Sequence, residues 1–493
     1  MSVPRPRQSG PGGPVLPSAD DRAGGRGDDA RLLGPSGSRE PARPLEPAGP
    51  AGPAGAGLAS AGAHRRSGAE VGTPSPEEPV PDALVEQAIQ VIDTRAVRTV
   101  FQPLVHLVSG ETVGFEAFTR GPSGSAVESP LALLRGARAG GRLTELDWLC
   151  AASACAAARS FHLHASTSVF LNFEPATLLT PCPEDLARMT RWAQDQLRVF
   201  VEVKEGMLVD APRATFDALT QVRAIGWGIA VDNAEATAAS LVLFPLADPD
   251  VLKIDLRGVR GDSAAIAAMS DGARLYAEQS GASILAEGIE DADDVQIARA
   301  AGAEFGQGWH LGRPEPLQGA PVSPHSVFPI LQRSPSDAAG TSFHTAGQQV
   351  GTSIAEGRIL QPIATYLVEQ SIGHGPPALL MVSFDERSRP SADDIERLAD
   401  VVDRAAFVVV AGPEVGSGPP ARRILHLEHR RAMGADWSVI VLGPHYAGAL
   451  LARDVGDTGP NDSRRFEYLV THNRDLVLRM ARSVLSQTST VPA

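Results

Sequence analysis

Residues 228–255 read GIAVDNAEATAASLVLFPLADPDVLKID. Two short apolar runs, Gly228–Val231 and Val251–Ile254, have the length and composition of buried strands. Each ends on charge. The first stops at Asp232 and Asn233; the second carries Lys253 and stops at Asp255. The Ala- and Leu-rich sequence between them is helical in character. Strand, polar terminus, helix, strand, polar terminus is the order of a βα unit whose chemistry gathers at the carboxyl ends of its strands.

The same order recurs on both sides. Ala83–Thr94 has apolar residues at helical spacing, and Thr99–Leu107, Ser109-Gly110 and Thr112–Phe118 read as an opening β-hairpin. Helices are expected at Pro130–Arg135, Glu145–Ser160, Glu184–Leu197, Ala211–Ile225, Ser263–Ser280 and Ala292–Ala301. Strands are expected at Ser168–Asn172, Val199–Val203, Ser283–Ala286 and Glu304–Gly306. This α/β alternation predicts a TIM-type (β/α)8-like barrel over residues 81–316 rather than an open sheet with one crevice. Successive strand ends then bring Glu116, Asn172, Glu202, Asp232, Lys253, Glu287 and Gln307 to one mouth. A lone carboxylate at a strand end is usually a helix cap, but a whole ring of acids and amides is not explained by capping. Hard oxygen donors suit Mg²⁺ or Mn²⁺, and a lysine and an arginine among them suit a phosphate.

The remaining sequence sets the limits. At 493 residues the chain exceeds one ordinary core, and a net charge of −14 argues against a nucleic-acid polymer or an anionic membrane as partner. Cys150, Cys155 and Cys182 form no disulfide framework or metal spacing, which fits a reducing cytoplasm. His310 is expected to pack rather than ligate, and neither His162 with His164 nor His426 with His429 has convincing ligand spacing. Residues 1–80 are Pro-, Gly- and Ala-rich and predict a disordered tail, because they cannot bury enough apolar surface to offset ordering entropy. Residues 317–350 read as a linker, and residues 351–488 as a smaller α/β domain.

The ordered motifs of residues 99–316 resemble the EAL domain family, the bacterial cyclic-di-GMP phosphodiesterases. They are F-Q-P-L-V, E-A-F ending in Arg120, N-F-E-P, E-V-K-E, K-I-D, A-E-G-I-E and Q-G-W-H-L-G-R-P. The resemblance implies that Glu116, Asn172, Glu202 and Asp232 hold a first Mg²⁺ or Mn²⁺ ion. Lys253 would order the attacking water, and Glu287 would act as base or metal ligand. Gln307 would lie near the metals, Arg120 would contact a phosphate oxygen, and Glu205 would brace the loop after Asp232. The implied reaction opens cyclic-di-GMP to linear pGpG, and the family admits a homodimer through the barrel.

Two departures bear on activity. Where the family has D-D-F-G-T-G-Y-S, this chain has Asp232-Asn233-Ala234-Glu235-Ala236-Thr237-Ala238-Ala239. Asn233 offers an amide oxygen to a second metal but no negative charge, and the lost glycines make positive φ costly. The expectation is a weak or conditional phosphodiesterase, with an inactive cyclic-di-GMP receptor or a protein-docking module as the alternatives.

The second half resembles the DICT sensory domain. The likeness rests on its apolar strands at Ala378–Phe384, Ala406–Ala411 and Trp437–Leu442, and on the R-R-F-E-Y and N-R-D-L-V ending. Helices are expected at Ile359–Ser371, Ala392–Arg404 and Arg465–Val484, the last broken or capped around Asn473. This resemblance implies signal input through a ligand or partner at the carboxyl-terminal domain.

Overall fold

The computed structural model describes residues 79–163, 165–234, 240–319, 324–331, 341–371, 378–384, 401, 405, 407–411, 424–428, 435–460, 462–487 and 489–490. The expected amino-terminal tail lies outside these residues apart from its last two positions, as do His164, His429 and residues 235–239. So does the helix expected at Ala392–Arg404, apart from Val401.

Eight strands close a barrel in sequential order: β1 (Arg98–His106), β2 (Thr112–Arg120), β3 (Ser168–Asn172), β4 (Arg198–Lys204), β5 (Gly228–Asp232), β6 (Val251–Asp255), β7 (Ser283–Glu287) and β8 (Phe305–Gly306). The first two form the expected hairpin, antiparallel, with Gln102 opposite Glu116 and Gly110 turning at φ +71°. Strand β1 also runs antiparallel to β8, so one strand of the barrel is reversed. From β2 to β8 every pairing is parallel. Helices α1 (Asp82–Asp93), α2 (Pro130–Ala139), α3 (Leu143–Ser160), α4 (Pro175–Leu178), α5 (Glu184–Gln196), α6 (Glu205–Asp210), α7 (Pro212–Ala224), α8 (Ser240–Ala247), α9 (Ser263–Ser280) and α10 (Ala292–Ala300) lie among these strands.

The alternation of side chains along a strand divides the barrel interior into two layers. Phe170, Phe200, Ala230, Val251, Leu285 and Phe305 form an apolar floor. Two residues further along the same strands stand Asn172, Glu202, Asp232, Lys253, Glu287 and Gln307. The same inward face is therefore apolar below and ionic above. Gly228 lies beneath the Phe200 ring, where a Cβ would meet a ring carbon at 2.4 Å.

Phe328 closes the floor from outside the barrel strands, with ring centroids 3.9 Å from Phe305 and 5.0 Å from Phe170. Its segment is tied down at two points. Arg198 donates to the Phe328 carbonyl at 3.0 Å, and Leu331 N donates to the buried Asp250 carboxylate at 2.8 Å. Asp250 also accepts from Ile229 N at 2.7 Å and from Arg223 at 2.5 Å. Residues 324–331 thus cross the bottom of the barrel as an ordered strap.

The second region begins with α11 (Phe343–Val350), β9 (Ser353–Glu356) and α12 (Gly357–Gln370). It continues with β10 (Leu379–Phe384), β11 (Phe407–Ala411), β12 (Ile424–Glu428), β13 (Trp437–Leu442), β14 (Ala447–Asp454), β15 (Arg465–Thr471), α13 (Arg474–Gln487) and β16 (Ser489–Thr490). The strands form one mixed sheet in the order β16-β12-β11-β10-β13-β14-β15-β9. One expectation is overturned: Arg465–Thr471 is a strand between β14 and β9, not the start of the last helix. Its R-F-E-Y-L-V-T sequence is aromatic and β-branched, which suits a pleated surface. The helix starts three residues later, where Asn473 Oδ1 accepts from Leu476 N at 3.0 Å as an N-cap.

Helix α13 packs against the barrel. Leu476, Val477, Met480, Ala481, Val484 and Leu485 belong to one buried cluster with Leu241, Val242, Leu243, Phe244 and Leu246 of α8. This explains why the S-L-V-L-F-P-L-A sequence of α8 has no polar face: both of its sides are covered. Arg482 donates to the Pro245 carbonyl at 2.6 Å and the Leu246 carbonyl at 3.2 Å, and lies 3.6 Å from the Asp248 carboxylate. Those carbonyls are the acceptors a helix leaves open at its carboxyl end.

Candidate active site

The ionic layer opens into a cavity of about 660 Å³ at the carboxyl ends of the strands. Gln102, Glu116, Asn172, Glu202, Asp232, Asn233, Glu287 and Gln307 line it. Lys253 lies beneath them, wholly buried, with Nζ 2.5 Å from Glu202, 2.7 Å from Glu287, 3.0 Å from Glu116 and 3.6 Å from Asp232. Each partner comes from a different strand, so closing the barrel is what assembles the cluster.

Amides hold the carboxylates in place. Asn172 Nδ2 donates to Glu116 Oε1 at 3.1 Å, and Gln307 Nε2 donates to Glu116 Oε2 at 2.9 Å. Gln307 also donates to Gln102 Oε1 at 3.0 Å, and Gln102 donates to the Gly312 carbonyl at 2.9 Å. Gln102 is a site residue that the strand-end pattern does not pick out, because it lies on the one antiparallel strand of the barrel. It is an amide two positions before the floor residue Leu104, on the same face of its strand.

Four carboxylates face one ammonium in a buried site, and the acids respond unequally. Burial, with the charge of Glu116 adding to it, pushes Glu202 well above the usual carboxylate range. Burial raises Glu287 to about 7, against the opposing attraction of Lys253. Glu116 moves down: burial opposes this, but Lys253 and the Gln307 amide outweigh it. Lys253 is raised well above an ordinary lysine, since the carboxylates overcome its own desolvation.

The donor set fits a hard divalent cation. Glu202 Oε2 and Gln307 Oε1 are buried acceptors with no hydrogen-bond partner, and unpaired buried oxygens are costly unless something cationic or protic meets them. As they stand, no three His, Cys, Asp or Glu side chains among the described residues surround one point closely enough to hold a metal ion. The Lys253 ammonium stands at their convergence instead. An ion held by Glu116, Asn172, Glu202 and Asp232 would share that charge-balancing role with the lysine.

Other expected site residues stand apart. Arg120 is half-buried at the end of β2, donates to the Thr119 carbonyl at 3.1 Å, and is not part of the cavity wall. Glu205 begins α6 and does not line the cavity either. Asn233 does line it, with a left-handed backbone at φ +53° and its Nδ2 donating to Asp232 Oδ2 at 3.3 Å. His310 is exposed rather than packed. Burial pushes the Cys150 and Cys155 thiols up to about 12, which leaves them inert.

Residues 85–314 match the family model described as the EAL domain. An uncharacterized protein of Azorhizobium caulinodans is 30% identical over 253 residues, covering 48% of this chain and 34% of its own length. An uncharacterized signaling protein of Caulobacter vibrioides is 27% identical over 229 residues, covering 44% of this chain and 27% of its own. The chain thus spans about a third or less of the curated relatives it matches. Among solved structures, the PaMucR phosphodiesterase in complex with c-di-GMP is 24% identical, covers 47% of this chain and 97% of its own, and has a TM-score of 0.41. Among the described residues, no helix is long and apolar enough to cross a membrane.

Proposed function

We propose that this protein, whose residues 85–314 match the EAL domain model, is a cyclic-di-GMP signalling protein whose barrel is a weak or conditional metal-dependent phosphodiesterase. The observation that carries this reading is the buried cluster of Glu116, Glu202, Asp232 and Glu287 around Lys253, with unpaired acceptor oxygens at the foot of an open cavity. A bound Mg²⁺ or Mn²⁺ supplies a water of lowered pKa and neutralises phosphate charge. Glu116, Asn172, Glu202 and Asp232 are the residues to hold it, with Asn233 a poor ligand for a second ion.

The chain's own groups then have separable tasks. Glu287, raised to about 7, is poised to accept a proton from the attacking water near neutral pH. Lys253 keeps a positive charge beneath the carboxylates, so that an anionic phosphodiester can approach them. Gln307 and Asn172 fix the Glu116 carboxylate in one orientation. The water oxygen bonds to phosphorus, the bond from phosphorus to the ribose 3′-oxygen breaks, and that oxygen takes up a proton, giving pGpG. Arg120 would have to swing from the Thr119 carbonyl to reach a phosphate, and Glu205 would support the loop after β5.

The test is hydrolysis of cyclic-di-GMP by the full chain with Mn²⁺ or Mg²⁺ between pH 7 and 9 (a range set by the roughly neutral value of Glu287). Formation of pGpG, abolished in Glu116→Ala, is the expected result. Turnover no greater than in that variant would remove the enzyme reading. Asn233 favours a second reading, in which the barrel binds cyclic-di-GMP without cleaving it. Tight binding without turnover would establish that form. The carboxyl-terminal sheet is read as a DICT-like sensory domain that takes a ligand or partner, in a cytoplasmic protein that is able to pair through its barrel.

A further inference from the structure

The inward side chains of β4 continue one step above the ionic layer. Phe200 belongs to the apolar floor and Glu202 to the ionic ring, while Val199, Val201 and Val203 pack with the outer helices. The backbone is still extended at Lys204, with φ −70° and ψ 140°, and α6 begins only at Glu205. The alternation therefore carries Lys204 to the inner face too, and it lines the cavity two residues beyond Glu202. Its side chain is exposed, and its ammonium has no hydrogen bond or ion pair among the described residues.

That freedom is out of keeping with its surroundings. The strand register sets Lys204 beside Asp232 on β5, and Asn233 follows at the same rim. Asp232 is engaged elsewhere: its Oδ1 lies 3.6 Å from Lys253 Nζ, and its Oδ2 accepts from the Asn233 amide. The other cation in the wall, Arg257, donates to both oxygens of Asp255 at 2.9 and 2.8 Å, so its charge is balanced. Lys204 is thus the uncompensated positive charge at the rim, on the side where Asn233 brings no negative one. Glu174, Asp232, Glu287 and Glu290 line the same wall, and an anion passing them is repelled unless a cation meets it. A second dication at this rim would find a neutral amide and, on the neighbouring strand, an ammonium that repels it. These residues do not fit a second dication, but they do fit a phosphate oxygen.

We propose that Lys204 takes the place of a second divalent ion: the barrel holds one metal ion per chain, and the Lys204 ammonium binds a non-bridging oxygen of the phosphodiester. This rests on the cyclic-di-GMP reading of the cavity. The experiment uses the full chain and has two readouts besides turnover. Equilibrium dialysis at saturating Mn²⁺ is expected to give one ion per chain in the wild type and in Lys204→Arg. Cyclic-di-GMP affinity is measured by calorimetry with Ca²⁺ in place of the activating metals. It should fall about tenfold in Lys204→Gln, equivalent to about 1.4 kcal/mol, and stay within about threefold in Lys204→Arg. The Lys204→Gln deficit should shrink from low to high salt, because a charged contact is what has been lost. A residue that merely shaped the rim would give the same deficit at both. Two Mn²⁺ ions per wild-type chain overturn the replacement. Lys204→Gln binding as tightly as the wild type, or weakened equally at both salt concentrations, overturns the contact. Either result leaves the cyclic-di-GMP reading intact, whereas absence of binding by the wild type overturns that reading and the proposal with it.

Discussion

Asn233 occupies a left-handed backbone conformation that asparagine and aspartate tolerate better than other residues with a Cβ. Asn233→Asp should therefore be accepted without backbone strain, and its effect isolates charge. In the parent the amide donates to Asp232, joining two neighbouring side chains without a cation. An aspartate there would face Asp232 as a like charge, a repulsion that a divalent ion relieves. The expected outcome is Mn²⁺ binding tighter by about tenfold, roughly 1.4 kcal/mol, read by calorimetry or by the metal concentration for half-maximal turnover. Unchanged Mn²⁺ affinity would show that charge at this position does not limit the site. Arg120 makes a contrasting point at the same scale. Sequence placed it near a phosphate by motif position, but its guanidinium is turned to its own neighbour's carbonyl.

At the level of elements, the barrel was legible because its strands announce themselves twice. G-I-A-V-D and V-L-K-I-D are apolar on both faces until the residue that turns ionic, as parallel strands covered on both sides must be. The carboxyl-terminal sheet was less legible for reasons specific to its strands. A-G-A-L-L-A-R-D in β14 is rich in small residues with weak strand preference, and nothing local marks it apart from a helix. R-F-E-Y-L-V-T has the right residues, but it abuts a true helix, and its sequence runs into that helix without a Gly or Pro break. Phe328 was hidden for a different reason: it is one ring in a Pro- and Ser-rich stretch, and only the closed floor shows what it fills. That floor makes a direct prediction. Phe328→Ala leaves a hole beneath Phe170, Phe200 and Phe305 and should cost about 3–5 kcal/mol in denaturant unfolding. A loss below about 1 kcal/mol would mean that the strap adds little to the barrel.

Across the whole molecule, the net charge of −14 contrasts with how acids are used at the mouth of the barrel, where they are concentrated around one buried lysine. The apolar matter is pooled as well: one cluster runs from the barrel through α8 into α13 and the sheet. Arg482 closes that seam by capping the carboxyl end of α8. The consequence is calorimetric. Two regions that share a core cannot melt independently, so heating the full chain should give one endotherm, with van't Hoff and calorimetric enthalpies in agreement. Arg482→Ala should lower that single midpoint by a few degrees, about 1–2 kcal/mol for the two carbonyls left without their donor. Two well-separated endotherms in the parent would refute the shared core. With a single one, any ion that tightens the carboxylate ring also holds together a sheet that it never touches.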